Sequence, residues 1–174
     1  MTSAKLAAGS KFPELTVHSL DGSTVDISKP QSGCDWKMIV VYRGQHCPLC
    51  TLYLNALEKF NTRLNAIGID LAVVSGDSKA QLERHFTELN ISYPIYYGLT
   101  IEQMQDLGLY ISNPRSANET DHPFSEPGLF IINESGDVQI IDISNSPAVR
   151  PELETLVSGM EWVRDNDYPI RGTF

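Results

Sequence analysis

The stretch Val40-Val41-Tyr42-Arg43-Gly44-Gln45-His46-Cys47-Pro48-Leu49-Cys50 decides the reading of this chain. Lys37 to Tyr42 is a short, nearly continuous apolar run rich in β-branched residues, the pattern of a buried strand. A brief turn follows. Proline fits the first helical position, so Pro48 makes Cys47 the N-cap and Cys50 the third helical residue. Tyr53, Leu57, Phe60 and Leu64 then step along one helical face, and Gly68 ends the run.

The chemistry of this turn follows from its place. Two cysteines three apart share a helix face, in the first turn where free backbone N–H groups and the helix dipole favour anions. A thiolate is such an anion, and cysteine pKa falls from about 8.5 to roughly 3.5–7.5 in such settings. Arg43 and His46, close in sequence, add positive charge. Two neighbouring thiols allow a sulfenic acid or mixed disulfide on one to be attacked by the other. The competing reading is metal binding by the CxxC with a histidine such as His122. No second CxxC is present, and Cys34, His18, His46, His85 and His122 do not stand at finger spacing. His85 reads as a surface or satisfied histidine, and Arg43 equally suits pairing with a carboxylate.

Outward from the turn, Leu15–Leu20 and Ser23–Ser28 flank Asp21-Gly22 as a hairpin. Residues 1–12 and Lys29–Gly33 look irregular. Leu71–Ser75 is a second buried strand, and Asp77 or Ser78 caps a helix carrying Leu82, Phe86 and Leu89. Tyr93–Tyr97 reads as a short strand, and Ile101–Leu107 as a short helix stopped at Gly108. Asn113–Glu126 is a polar loop long enough to act as a lid. Leu129–Ile132 and Val138–Ile141 form a second hairpin, and Pro151 opens a last helix before an irregular tail. This order predicts one α/β domain over residues 1–174, a mixed central sheet flanked by helices with an N-terminal β-hairpin extension.

The 174 residues carry a net charge of −9. That balance disfavours nucleic acid and anionic membrane as partners. The first residues lack the apolar core of a signal peptide and no run reaches membrane-spanning length, so a cytoplasmic protein is expected. In a reducing compartment a CxxC pair is more often catalytic or metal-binding than a structural staple.

Several matches in order give a resemblance. Gly9…Pro13-Glu14-Leu15…Asp21-Gly22, Lys37 to Cys50, Val74-Ser75-Gly76-Asp77-Ser78 with His85-Phe86 and Tyr93-Pro94-Ile95, and Gly128–Val138 together resemble the peroxiredoxin-like AhpC/TSA, or redoxin, group of the thioredoxin fold. The resemblance spans roughly residues 9–165. It implies a thioredoxin-like fold and an antioxidant thiol oxidoreductase without cofactor or metal. The substrate would be a peroxide or a protein disulfide and the reductant a thiol such as thioredoxin or glutathione; related folds often form homodimers. The chain departs from the family at the active site. Arg43 stands at the signature proline, Cys47 at the signature Thr/Ser, and the residue before the late strand is Pro127 rather than arginine. Laid on a peroxidase, Cys50 attacks peroxide, with Arg43 or Arg115 as substitute cation. Laid on a thioredoxin, Cys47 is the exposed attacking thiol, Cys50 resolves, and Pro127 takes the place of a cis-proline facing the disulfide. Arg43 is the expected charge stabiliser. Pro127, His46 and Tyr42 are the expected substrate contacts, Pro127 because it leaves backbone groups open to a peptide strand.

Overall fold

The computed structural model describes residues 5–31 and 33–174. The expectations for the first four residues and for loop position 32 lie outside them. The opening hairpin is present as β1 (Thr16–His18) and β2 (Thr24–Asp26), paired antiparallel. Its turn closes through Asp21, whose Oδ1 accepts from the Ser23 N–H at 2.8 Å.

The next strand, β3 (Trp36–Val41), is buried at every residue and lies in the middle of a five-stranded sheet. Beside it runs β4 (Ile69–Val74), parallel, followed outward by β5 (Ile95–Tyr96), also parallel. On the other side β8 (Gly128–Ile132) is antiparallel to β3, and β9 (Val138–Ile143) completes the hairpin and forms the edge. The sheet is therefore mixed, in the order β5-β4-β3-β8-β9.

Successive strand residues point to opposite faces, and two cores result. Met38, Val40, Leu71, Val73, Leu129 and Ile131 pack with α1 (Pro48–Leu57), α2 (Asn61–Ala66), Leu82 of α3 (Lys79–His85) and α5 (Leu153–Asp165). Ile39, Val41, Ala72, Val74, Phe130 and Ile132 pack with Val17 and Ile27 of the hairpin region and with Met104 of α4 (Ile101–Asp106). Each such side chain contributes about 1.5–3 kcal/mol on burial. Among the described residues no helix is long and apolar enough to cross a membrane.

Local differences from the sequence reading have physical causes. The helix after Cys47 is not continuous: a 3₁₀ turn at Glu58–Phe60 separates α1 from α2. There the Glu58 carboxylate accepts from the Ser92 N–H at 2.7 Å and hydroxyl at 2.6 Å, tying the turn to the segment before β5. The helix after Asp77 is capped by Ser78, with a reciprocal bond from Gln81. That cap sets Gln81, Leu82 and His85 inward, so His85 is fully buried and Phe86, expected inside, is exposed. The polar loop is irregular over most of its length. Its ends form an unanticipated two-stranded ladder, β6 (Ile111–Ser112) with β7 (Phe124–Ser125).

Candidate active site

Strand β3 ends at the sheet centre, and after the six residues Tyr42–Cys47 α1 begins. Cys47 is the N-cap, with extended backbone (φ −108°, ψ 99°), and Pro48 occupies the first helical position. The Cys47 Sγ accepts from the Cys50 N–H at 3.2 Å, taking up one of the free amides at the helix mouth. Cys47 and Cys50 are joined as a disulfide, their Cα atoms 5.2 Å apart. The expected N-cap placement is thus observed, but Cys47 is not an exposed thiol. It is 2% accessible and Cys50 is fully enclosed.

The cation at the sulfur is Arg150, from the turn before α5, one hundred residues downstream. Its Nη2 donates to the Cys50 Sγ at 2.8 Å. The guanidinium is fixed by a second bond, from Nη1 to the Pro147 carbonyl at 2.7 Å, and by the Tyr53 ring beneath it, 5.1 Å from the centroid. Tyr53 in turn donates to the Pro151 carbonyl at 2.9 Å, so α1 itself holds the turn that carries Arg150. Burial, with the positive charge of Arg43 nearby, disfavours the charged form of Arg150. Among the described residues no carboxylate lies in ion-pair contact with it. A desolvated cation with no counter-ion faces the sulfur.

The sequence reading had assigned that charge elsewhere. Arg43 is turned to carboxylates, its Nε 3.2 Å from Glu126 and Nη2 3.8 Å from Glu119. Its guanidinium also lies over the Phe124 ring, 4.7 Å from the centroid. Arg115 is solvent-exposed and pairs with Glu119. Arg150 went unnoticed because nothing local marks it. The available signal was weak: a lone basic residue before Pro151 at the start of the last helix.

His46 packs edge-on against Phe124 at 4.5 Å, and neither ring nitrogen has a hydrogen-bond partner. Burial and the charge of Arg43 push its pKa down to about 4, so the ring is neutral. Tyr42 is buried beside His85, ring centroids 5.7 Å apart, and burial raises its phenol pKa. It lies beneath the site rather than on a face open to substrate. His85 Nε2 meets the Thr51 hydroxyl at 2.8 Å, one residue past Cys50.

Pro127 differs from the thioredoxin-based expectation. No cis peptide bond occurs among the described residues. The Pro127 carbonyl accepts from the Ser144 N–H at 3.1 Å, and the Glu126 N–H donates to the Tyr110 carbonyl at 2.8 Å. The backbone expected to be open to a peptide strand is already paired within the chain. Pro127 lines a small cavity with Tyr53 and Arg150.

Among the described residues no group of three or more His, Cys, Asp or Glu is placed to hold a metal ion. His122, the candidate third ligand of the competing metal reading, lies against Asp77 and Gln81.

Comparison with known proteins accords with this geometry. Residues 7–157 match the profile of the family described as Redoxin. No curated protein sequence matches the chain. Among solved structures, a peroxiredoxin-like protein from Aquifex aeolicus superposes with a TM-score of 0.73 at 18% identity, over 93% of this chain and 90% of that one. Peroxiredoxin 6 of Arenicola marina gives 0.74 at 15% identity, over 94% and 76%. AhpC of Mycobacterium tuberculosis gives 0.71 at 16% identity, over 95% and 96%. At these identities the likeness is one of fold, a thioredoxin-like mixed sheet flanked by helices.

Proposed function

The chain belongs to the redoxin family, and from that premise we propose that it is a thiol peroxidase in which Cys50 attacks peroxide and Cys47 resolves. The observation that carries this reading is the Arg150 Nη2 to Cys50 Sγ bond of 2.8 Å. In the reduced protein a Cys50 thiolate would be the counter-ion that Arg150 lacks. A fixed cation lowers the energy of the thiolate and of the negative charge that develops on the departing peroxide oxygen.

The cycle balances as follows. The Cys50 thiolate attacks one peroxide oxygen, and the O–O bond breaks. The departing oxygen takes a proton to leave as alcohol or water, and Cys50 becomes a sulfenic acid. The Cys47 sulfur then attacks the Cys50 sulfur. Hydroxide leaves and takes up the Cys47 proton as water, closing the disulfide. A thiol reductant, such as thioredoxin or glutathione, supplies two electrons and two protons to reopen it. A reducing compartment such as the cytoplasm supplies such donors.

A second reading, disulfide exchange with Cys47 as nucleophile, has one observation in its favour: the Cys47 Sγ lies on the N-terminal amides of α1. Against it stand the enclosure of both sulfurs and the internal pairing of the backbone around Pro127. A small peroxide reaches such a site more readily than a protein disulfide.

The test is one equivalent of hydrogen peroxide added to the reduced protein and to each Cys→Ser variant, followed by mass spectrometry. The peroxidase reading expects rapid sulfenic acid on Cys50 in Cys47→Ser and an intramolecular disulfide in the parent. Slow oxidation at both thiols, together with catalysed reduction of insulin, would replace it with the exchange reading.

A further inference from the structure

The polar loop is fastened to the CxxC turn by a pair of side chains that the peroxidase chemistry does not use. His122, near the loop's end, has its Nδ1 2.8 Å from the Pro123 carbonyl oxygen. Its Nε2 lies 3.1 Å from Gln81 Oε1 and 3.4 Å from Asp77 Oδ1. The partners dictate where the hydrogens are. A peptide carbonyl only accepts, so Nδ1 carries a hydrogen. The Gln81 amide has a fixed orientation: its Oε1 accepts from the Ser78 N–H at 2.8 Å, and its Nε2 donates to Asp121 Oδ1 at 2.9 Å. The Gln81 oxygen is therefore an acceptor for His122 too, and a hydrogen on Nε2 would complete that bond. A ring protonated on both nitrogens is an imidazolium.

That charge faces a buried acid. Asp77 is fully enclosed, and its Oδ1 has no hydrogen-bond partner. Its Oδ2 accepts from the Gln45 N–H at 2.8 Å. The carboxylate presses on the turn itself. Gly44 sits at φ 142°, and a Cβ there would come within 2.5 Å of Asp77 Oδ1 and 3.1 Å of His46 Nδ1. The Gly44 carbonyl accepts from the Cys47 N–H at 3.2 Å, so the turn that Asp77 braces is the one that sets Cys47 at the N-cap.

We propose that His122 and Asp77 form a proton-dependent clasp that positions the Gly44–His46 turn, and through it Cys47. Both are positioning residues rather than catalytic ones, and the proposal holds whether the sulfur meets oxygen or another sulfur. Other charges face the clasp. Asp121 lies 3.9 Å from His122 Nε2 on the same loop. His46, from the turn, and Tyr42, at the end of β3, feel the charges of His122 and Asp77 respectively. Arg43 reaches Glu119 and Glu126 on the loop, and Arg84 of α3 stands near Gln45. A neutral His122 ring would satisfy one acceptor instead of two and leave Asp77 without its counter-charge. As pH falls, Asp77 takes up a proton earlier than a free carboxyl because burial favours its neutral form. The clasp needs the charged ring and the charged carboxylate together.

The test uses the full chain, reduced and oxidised, with nitrogen NMR of the His122 ring and amide exchange of Gln45 followed from about pH 5.5 to about pH 8. Both ring nitrogens are expected to be protonated at the acidic end. Gln45 exchange, corrected for its intrinsic rate, is expected to rise on the order of tenfold toward the alkaline end. In His122→Gln it should be fast and flat throughout. Alkylation of Cys47, corrected for its thiolate fraction, should follow the parent profile and lose it in the variant. A neutral His122 ring at the acidic end, an unchanged Gln45 profile in His122→Gln, or a Cys47 reactivity indifferent to the clasp would each overturn the proposal. Should Asp77→Asn fail to fold, the ring measurement and the partly exposed His122 variant still decide.

Discussion

Two arginines flank the disulfide, and their surroundings are opposite. Arg43, on the side of the polar loop, is neutralised by Glu126 and Glu119 and covered by Phe124. Arg150, on the side of α5, has a carbonyl, an aromatic ring and a sulfur around it, and no carboxylate in contact. A guanidinium whose charge is already matched serves the architecture. One that is desolvated and unmatched is ready for an anion that arises during the reaction. Nearness in sequence to a cysteine does not tell the two apart; the neighbours do.

The sharpest way to break this comparison is kinetic. Arg150→Met should slow oxidation of Cys50 by peroxide by on the order of a hundredfold, the effect of losing a preorganised charge at a reacting atom. Arg43→Met should change that rate far less, and stopped-flow oxidation of both proteins decides. Equal slowing would erase the distinction. Stability should reverse the order. Arg43→Met leaves Glu126 buried without its partner and should cost about 3 kcal/mol in a urea titration. Arg150→Met removes a desolvated cation that lacks a carboxylate and should cost less.

A smaller effect concerns acid. The folded His46 titrates near 4, well below the ordinary histidine value of 6.5. Between those values the unfolded chain binds a proton that the folded one refuses, so stability should fall as pH drops from about 6.5 to about 4. His46→Leu should flatten that limb of the thermal-denaturation profile. A steep limb persisting in the variant would shift the cause to another group, and the buried His85 would be next. The smallest effect should come from Arg63→Ala. Arg63 pairs with both Glu154 and Glu161 across α2 and α5, yet in solvent. A thermal midpoint close to the parent's would show that solvent exposure, rather than number of partners, ranks these arginines.

Much of the frame was legible because it rests on local rules. The apolar run at β3, the proline after Cys47 and the Gly-containing hairpin turns each specify their own conformation, and a mixed sheet was expected from their order; which strands neighbour one another was not. The site was legible only in part. Cys47 and Cys50 were placed from spacing alone, but Arg150 reaches the sulfur through the tertiary packing of α5 on α1, which leaves no periodic mark. Pro127 shows the reverse error. Alignment with a thioredoxin-like layout suggested an open cis-proline edge, whereas Ser144 and Tyr110 occupy the neighbouring backbone groups in a trans chain. His85 read as either surface or satisfied, and it is the satisfied case, buried against the Thr51 hydroxyl; which of the two depends on where Ser78 sets the helix phase, a choice that the sequence left between two residues.

Both sulfurs of the pair belong to one turn of one helix, with Pro48 and Leu49 alone between them. The loop that oxidation closes is therefore already curled by the backbone before any electron moves. In the proposed cycle, making or opening the S–S bond should ask for no unwinding and no travel of a distant segment. Turnover in that cycle would be a change of bonding inside a stationary scaffold, and calorimetry of the two redox forms should register nearly the same heat of unfolding per residue. Under the proposed cycle, the redox state would be legible at one place, the mouth of α1.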